Sequence, residues 1–430
     1  MRKRIGHGVS ANAFGQGVTI LIQIASLPIF LSIWDLSTYG KWLMMAALPA
    51  YFAMSDIGLL TAAANRMTML MGAGEIVGAR RTLHSATAFM SAVCLGVALL
   101  TAVGLIYLPL PMLQSPGDRW TLWLLVLATL AAMYSGIDQA VFRATGRYAT
   151  GILTNNFVRL AEWLGGIAAL LVVGHAVAVA LAMALVRVLS LRISWQIARH
   201  GNATFGYGLR EARWMEVKEL VKPGLAFLAF QLSSALSLQG FTLLVGSMFG
   251  SAAVVTFSAA RTLARVAVQA TSILSHALWP EFSRLKGAGE TQALQALYAR
   301  SIRIGGATAV ALSAVLAGLA PWILPAWTRG EVSYQAAIVL PLLAYAAVAG
   351  AGHIPRGVLM STNGHGQLAI GFTLVSALSL PFAWALGLVW ALAGVCWSLL
   401  LAEATLTVFS VLLARRQVGA TLRQNAPVRP

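Results

Sequence analysis

Twelve apolar runs, most of them about 20 residues long, follow one another along the chain with short polar breaks between them. A helix rises 1.5 Å per residue, so each run reaches across the roughly 30 Å hydrocarbon core of a bilayer. In lipid, backbone N–H and C=O groups must be satisfied within the protein, and a helix does this segment by segment. The expected fold is all-α: a polytopic membrane protein of about twelve transmembrane helices in two six-helix lobes around a central cavity. The first six spans fall at about 11–33, 42–63, 84–108, 120–142, 153–173 and 176–198. The second six fall at about 223–247, 251–280, 302–324, 336–360, 366–388 and 391–413. The longest break divides the chain into a lobe at 1–199, a cytoplasmic linker at 200–222, a second lobe at 223–413 and a basic tail at 414–430.

Charge tests this map. Only 10% of the 430 residues are charged, against about a quarter in soluble domains. The net charge is +17, a value that in a soluble chain would point to nucleic acid. Here the cations segregate. With both termini inside, the outer loops hold only Lys41, Arg119 and Arg329, and five arginines lie within spans: Arg159, Arg187, Arg192, Arg261 and Arg265. The remaining Lys and Arg, with Arg303 and Arg356 at the inner ends of spans nine and ten, are counted to the cytoplasmic side, as the positive-inside rule requires, and nucleic acid is set aside as a partner. The basic start Met1-Arg2-Lys3-Arg4 leads into an apolar run with no convincing cleavage site, so it is read as an uncleaved first span. Cys94 and Cys396 both sit in apolar runs, which excludes a disulfide framework.

The eighth run carries the main functional candidate. It reads as one helix ending at Trp279-Pro280-Glu281, with polar residues Ser258, Arg261, Arg265, Gln269, Ser272 and His276. Their spacing of three and four places them within an arc of about 80° on one helical face. The stripe climbs about 27 Å, most of a membrane. An arginine at the bilayer centre costs about 2.5–3.5 kcal/mol, so both must face protein or water. Two readings stand: a wall of a pathway for an anion, or helix-to-helix glue through buried carboxylates. Span one carries a second stripe, Asn12, Gln16, Thr19, Gln23 and Ser26, which either lines the same pathway or bonds to a neighbouring helix. Gln231 and Ser234 repeat Gln16 and Thr19 at an offset of 215, so the halves read as a weak parallel repeat.

Other intramembrane charges are coupling or structural candidates. Asp56 lies in the inner half of span two and Asp138 near the inner end of span four. Arg159 and Glu162 in span five are placed to neutralise each other at i, i+3. Arg187 and Arg192 are placed to snorkel toward the cytoplasm. Glu403 stands alone in span twelve, either as a proton or cation site or as an arginine's partner. The segment with Arg210, Glu211, Arg213, Glu216, Lys218 and Glu219 is either a surface helix or a plain tether. No P-loop, HExxH motif or GxSxG elbow is present, and the seven histidines are scattered. No metal or cofactor is expected, and with only short outer loops the chain is not expected to be an enzyme.

Several short motifs carry a family likeness. They are Asp56-Ile57-Gly58-Leu59 followed by Asn65-Arg66, Thr256-Phe257-Ser258-Ala259-Ala260-Arg261, Phe142-Arg143-Ala144-Thr145-Gly146-Arg147-Tyr148, and Asn363-Gly364-His365-Gly366-Gln367. With twelve spans in two sixes, the chain resembles the polysaccharide (O-antigen and exopolysaccharide) flippases of the multidrug/oligosaccharidyl-lipid/polysaccharide exporter superfamily. The resemblance implies a bacterial inner-membrane carrier of an undecaprenyl-diphosphate-linked oligosaccharide working by alternating access. Its partners would be the lipid-linked oligosaccharide, membrane lipid, and the polymerase and glycosyltransferases of the pathway. Arg261 matches the family's span-eight arginine, whereas Arg265 rests on the shared face alone. On this reading Arg261 and Arg265 hold the diphosphate or an acidic sugar, and Gln269, Asn12, Gln16 and Gln23 bond sugar hydroxyls. The alternative within the superfamily is a cation-coupled exporter of drugs or small solutes, for which Asp56, Asp138 or Glu162 would be indispensable. Span one lacks the carboxylate that the drug branch tends to carry.

Overall fold

The computed structural model describes residues 2–56, 58–107, 113–200, 205–206, 208–288, 290–361 and 365–424. Among these residues every regular element is helical. By contacts the chain divides into two units, Met1–Leu232 and Ser233–Pro430.

The first unit begins with α1 (Arg2–Phe30), α2 (Leu36–Ala47), α3 (Pro49–Phe52) and α4 (Leu59–Gly72). It continues through α5 (Ile76–Tyr107), α6 (Pro116–Tyr134), α7 (Gly136–Ala144), α8 (Tyr148–Val173) and α9 (Ala176–Arg199), and ends in α10 (Trp214–Ala235). α6 packs on α9, α9 on α8, and α8 on α1, while α4 packs on α5 and α7. Local chemistry sets the ends of these helices. Ser115 and Asp118 close a capping box at the start of α6, with Pro116 in the first turn, where its missing N–H costs nothing. Near the junction of α1 and α2, Phe30, Trp34, Tyr39 and Trp42 form an aromatic cluster with centroid spacings of 5.0–5.8 Å. All four rings are buried, so the cluster packs this junction from within. At the other end, Arg147 donates to the carbonyls of Ile197 and His200, both at 2.9 Å, and so caps the last turn of α9. The turn before it needs a left-handed residue and has Gly146 at φ 71°.

Span two differs from expectation. It is not one helix over 42–63 but α2, a four-residue α3, and α4, divided by the turn around Asp56. Gly58 takes φ 70°, and its N–H donates to Asp56 Oδ1 at 3.0 Å, an Asx-type turn that ends one helix and starts the next. Span seven also differs. α10 begins at Trp214, so the last nine residues of the expected linker, 214–222, are helix continuous with the span.

The second unit holds a five-residue π-turn (Leu236–Gly240), α11 (Phe241–Phe249), α12 (Ser251–Gly287), α13 (Thr291–Trp327), α14 (Ala336–Ser361) and α15 (His365–Gln424). α14 is its axis, packed against α12, α13 and α15. α12 runs past the expected stop at Pro280 as far as Gly287. α15 contains spans eleven and twelve. Its helix is broken at Trp390 and Ala391, where Ala391 takes φ 49°, and the second half folds back on the first. Gly394 lets them meet: a Cβ there would lie 2.1 Å from the Leu386 carbonyl oxygen.

Among the described residues, ten helices are long and apolar enough to cross a membrane. The Gln367–Gln417 stretch is one of the ten but contains two of the twelve expected spans, and the broken span two is not among them. Exposed side chains fit a lipid solvent. Leu95, Leu99, Val103 and Ile106 on α5 are all more than half exposed along one helical face, as are Leu185, Leu189 and Ile193 on α9.

Candidate functional site

The polar seam of α12 has structure in the second unit. Arg261 is aimed at the π-turn. Its Nη1 donates to the Leu238 carbonyl at 2.8 Å and its Nη2 to Thr242 Oγ1 at 2.8 Å. The Thr242 hydroxyl in turn donates to the same Leu238 carbonyl at 2.9 Å. A π-turn carries one residue more per hydrogen-bonded ring than an α-helix, which disturbs the regular ladder. Here the guanidinium fork straddles the disturbance, with its carbon 4.7 Å from the centroid of the Phe257 ring. Arg261 is thus bound to protein, but to neutral groups, so its charge is not cancelled by a carboxylate.

Arg265 lies one turn further along the same face. Among the described residues it makes no hydrogen bond and no ion pair. Gln269 follows on the seam, half-buried, and the Ser272 hydroxyl turns back to the Gln269 carbonyl at 2.8 Å. The side chain of His276 lies outside the described residues. Tyr345 of α14 is within electrostatic reach of Arg261, Arg265, Arg356 and Glu403. These residues belong to one polar cluster spread over α12, α14 and the second half of α15.

Glu403 is paired. Arg356 Nη2 bonds Glu403 Oε1 and donates to Thr407 Oγ1 at 3.2 Å, with the guanidinium over the Phe372 ring. Sequence reasoning placed Arg356 in a cytoplasmic segment and left Glu403 open. The pairing was hidden because the two residues are 47 positions apart on different helices. The cluster therefore contains three guanidiniums and, within electrostatic reach of Tyr345, a single carboxylate that is already engaged by Arg356.

In the first unit the span-one stripe is divided. Arg159 Nη1 donates to Thr19 Oγ1 and Trp163 Nε1 to Ser26 Oγ, each at 2.9 Å, so these two stripe members join α1 to α8. Asn12 and Gln16 are exposed and Gln23 is half-buried. Glu162 is hydrogen-bonded not to Arg159 but to Arg187 of α9 at 2.7 Å. Arg187 does not snorkel: its side chain is 12% exposed and that of Glu162 13%. α8 turns Glu162 toward α9 and Arg159 toward α1, and Arg159 stays within electrostatic reach of Glu162. Arg192, by contrast, is exposed. Asp138 is fully buried on α7, and Asp56 borders a cavity between the Asp56 turn, α4, α6 and α7. The Gln231 side chain and the Asn363-Gly364 turn lie outside the described residues.

The first turns of α10 and the segment before it are strapped to α4 and α5. Arg66 pairs with Glu216 at 3.1 Å and with Glu219 at 2.5 Å, and Arg80 pairs with Glu211 at 2.5 Å. Ser85 Oγ accepts from the Arg213 N–H at 3.0 Å, and His84 Nε2 lies 3.2 Å from the Gly206 carbonyl. The hydrogen bond from Arg80 holds the Glu211 carboxyl below its ordinary range. Arg66 and Arg80 had been read only as topology-setting cations.

No curated protein matches the sequence. Solved structures do. An inward-facing multidrug resistance MATE family transporter of the MOP superfamily aligns at 13% identity over 95% of this chain and 96% of that one, TM-score 0.78. An outward-facing structure of a MATE family transporter aligns at 15% identity over 98% and 96%, TM-score 0.66. A MOP superfamily transporter from Pyrococcus furiosus, described as having a binding pocket of reverse polarity, aligns at 13% identity over 97% and 94%, TM-score 0.61. At these identities the likeness is one of fold. The family described as "Polysaccharide biosynthesis protein" matches residues 49–327, about two thirds of the chain. A multi-pass helical membrane protein with the fold of MATE transporters, the chain belongs to the polysaccharide biosynthesis protein family.

Proposed function

We propose that this protein is a bacterial inner-membrane flippase, with both termini cytoplasmic, that carries an undecaprenyl-diphosphate-linked oligosaccharide across the bilayer by alternating access. It moves its cargo without chemical change. Family membership supports the pathway, and the likeness to transporter folds supports the mode of action. The observation that carries the reading is Arg265. Among the described residues it has no hydrogen-bond or ion-pair partner, and the nearby carboxylate, Glu403, is engaged by Arg356. A guanidinium kept within a membrane span without a counter-charge is a standing demand for an anion. Its planar fork suits the paired oxygens of a diphosphate or the carboxylate of an acidic sugar.

Arg265 therefore takes the anionic group first, and Arg261 adds its uncancelled charge from its fixed place on the π-turn. Gln269 bonds hydroxyls beside them, and Asn12, Gln16 and Gln23 do so from α1. The polymerase and glycosyltransferases of the pathway act before and after the transfer. The test is Arg265→Ala in cells that depend on this protein for surface polysaccharide. Export should fall to background with the variant present in the membrane at its normal level. Normal export would remove Arg265 from the mechanism. Glu162, one candidate of the drug-exporter reading, is ion-paired with Arg187.

A further inference from the structure

The first unit contains a cavity of about 260 Å³ with no place in the anion mechanism. It lies between the Asp56 turn, α4, α6 and α7, and four polar side chains line it: Asp56, Thr61, Gln139 and Arg143. Leu60 and Met133 supply apolar wall.

Two features of this lining are unusual. The first is that Asp56 and Arg143 border one small cavity without forming an ion pair. Each is held back by its own scaffold. Asp56 Oδ1 accepts the Gly58 N–H at 3.0 Å within its turn. Arg143 donates to Asn65 Oδ1 at 3.3 Å and sits 5.7 Å from the Tyr148 ring centroid. The second is that the lining has hydrogen-bonding capacity to spare. Among the described residues, neither the Thr61 hydroxyl nor the Gln139 amide makes a hydrogen bond, and the Gly58 N–H is the only hydrogen-bond partner of the Asp56 carboxylate. All four side chains are half-buried, and they keep donors and acceptors available to whatever enters the space.

The chemistry of the occupant follows from the lining. One carboxylate and one guanidinium leave it formally neutral, which disfavours a bare cation or a bare anion. Carboxylate and amide oxygens accept, guanidinium and amide N–H groups donate, and the hydroxyl does both. That alternation matches a ring of hydroxyls. Leu60 and Met133 match its C–H face. Small-molecule pockets run from about 300 Å³ upward, so a cavity at the lower edge takes one ring rather than a chain. We propose that this cavity is a subsite for one neutral sugar residue of the cargo, with Asp56 and Gln139 as its main acceptors and Arg143 and Thr61 completing the ring of contacts. The inference rests on the reading of a glycan cargo but not on the arginines of α12.

Saturation-transfer NMR on the full-length protein in lipid nanodiscs tests it, with the methyl glycosides of glucose, galactose, mannose and N-acetylglucosamine as probes. At least one glycoside should receive magnetisation on its ring protons. Asp56→Asn and Gln139→Ala should each weaken that binding by about tenfold or more, the loss expected for one buried hydrogen bond to a strong partner. Thr61→Val, nearly isosteric, guards against misfolding and should weaken it less, while Arg265→Ala should leave it unchanged. Absence of transfer from all four glycosides, or transfer that survives both Asp56→Asn and Gln139→Ala, overturns the proposal. So does displacement of the glycoside by sodium at constant ionic strength, which would mark a cation site. The two proposals fail separately. Sugar binding with normal export in Arg265→Ala would sink the anion mechanism alone, and lost export with no glycoside binding would sink the subsite alone.

Discussion

Arg261 and Arg265 are four residues apart on one face, yet their alanine variants should behave in opposite ways. Arg261 makes two hydrogen bonds to the π-turn region and lies over Phe257. Hydrogen bonds between membrane helices average about 0.6 kcal/mol and reach about 1.7. A cation–π contact adds about 0.5–2 kcal/mol. Arg261→Ala should therefore cost about 2–5 kcal/mol more stability than Arg265→Ala. Arg265 has no such contacts to lose among the described residues. Removing it also removes a charge whose insertion costs about 2.5–3.5 kcal/mol at the bilayer centre, so Arg265→Ala should be neutral or stabilising. Thermal unfolding of the purified variants in detergent, followed by tryptophan fluorescence, measures the contrast, and surface polysaccharide measures function. Thr242→Val should couple to Arg261→Ala in a double-mutant cycle, by about 0.5 kcal/mol or more, and not to Arg265→Ala. If Arg265→Ala destabilises as much as Arg261→Ala, both arginines are structural, and no free guanidinium remains to receive an anion.

Three further outcomes follow from the pairings and from the α15 turn. Glu403→Leu should cost about 3–5 kcal/mol by leaving Arg356 unpaired in its buried site, and adding Arg356→Met should recover most of that loss, read as detergent melting temperature. The strap between α5 and the segment before α10 should weaken in acid. The Glu211 carboxyl is held below the ordinary glutamate value of 4.5, so its contribution is complete above that pH and is lost as pH falls through the lower folded value. Faster amide exchange at 205–219 on acidification, abolished in Glu211→Gln, would register it. Gly394→Ala should prevent the two halves of α15 from closing, since the new Cβ would meet the Leu386 carbonyl, and monodisperse protein should not be recovered.

The positions of the helices were legible because each rests on a property that adds up along a short window. Apolar length marks the spans, and cation bias orders the loops. The break between spans eleven and twelve falls where the apolar pattern placed it, at Trp390 and Ala391. Span two escaped because its composition stays apolar across the Asp56 turn. There the left-handed Gly58 decides the backbone, and hydropathy does not register φ.

Which face of each helix meets which neighbour was not legible. Arg159 and Glu162 share a face when α8 is drawn alone, yet packing sends one to Thr19 and the other to Arg187. Arg356 and Glu403 look unrelated in sequence and form a pair in space. Arg261 and Arg265 look equivalent on a helical wheel. Only the π-turn, whose Leu238 carbonyl lies within reach of one and not the other, separates them. Periodicity fixes a residue's angle about its own axis. The partner is decided by how neighbouring axes are rotated and shifted against one another, and that information exists only once the helices are packed.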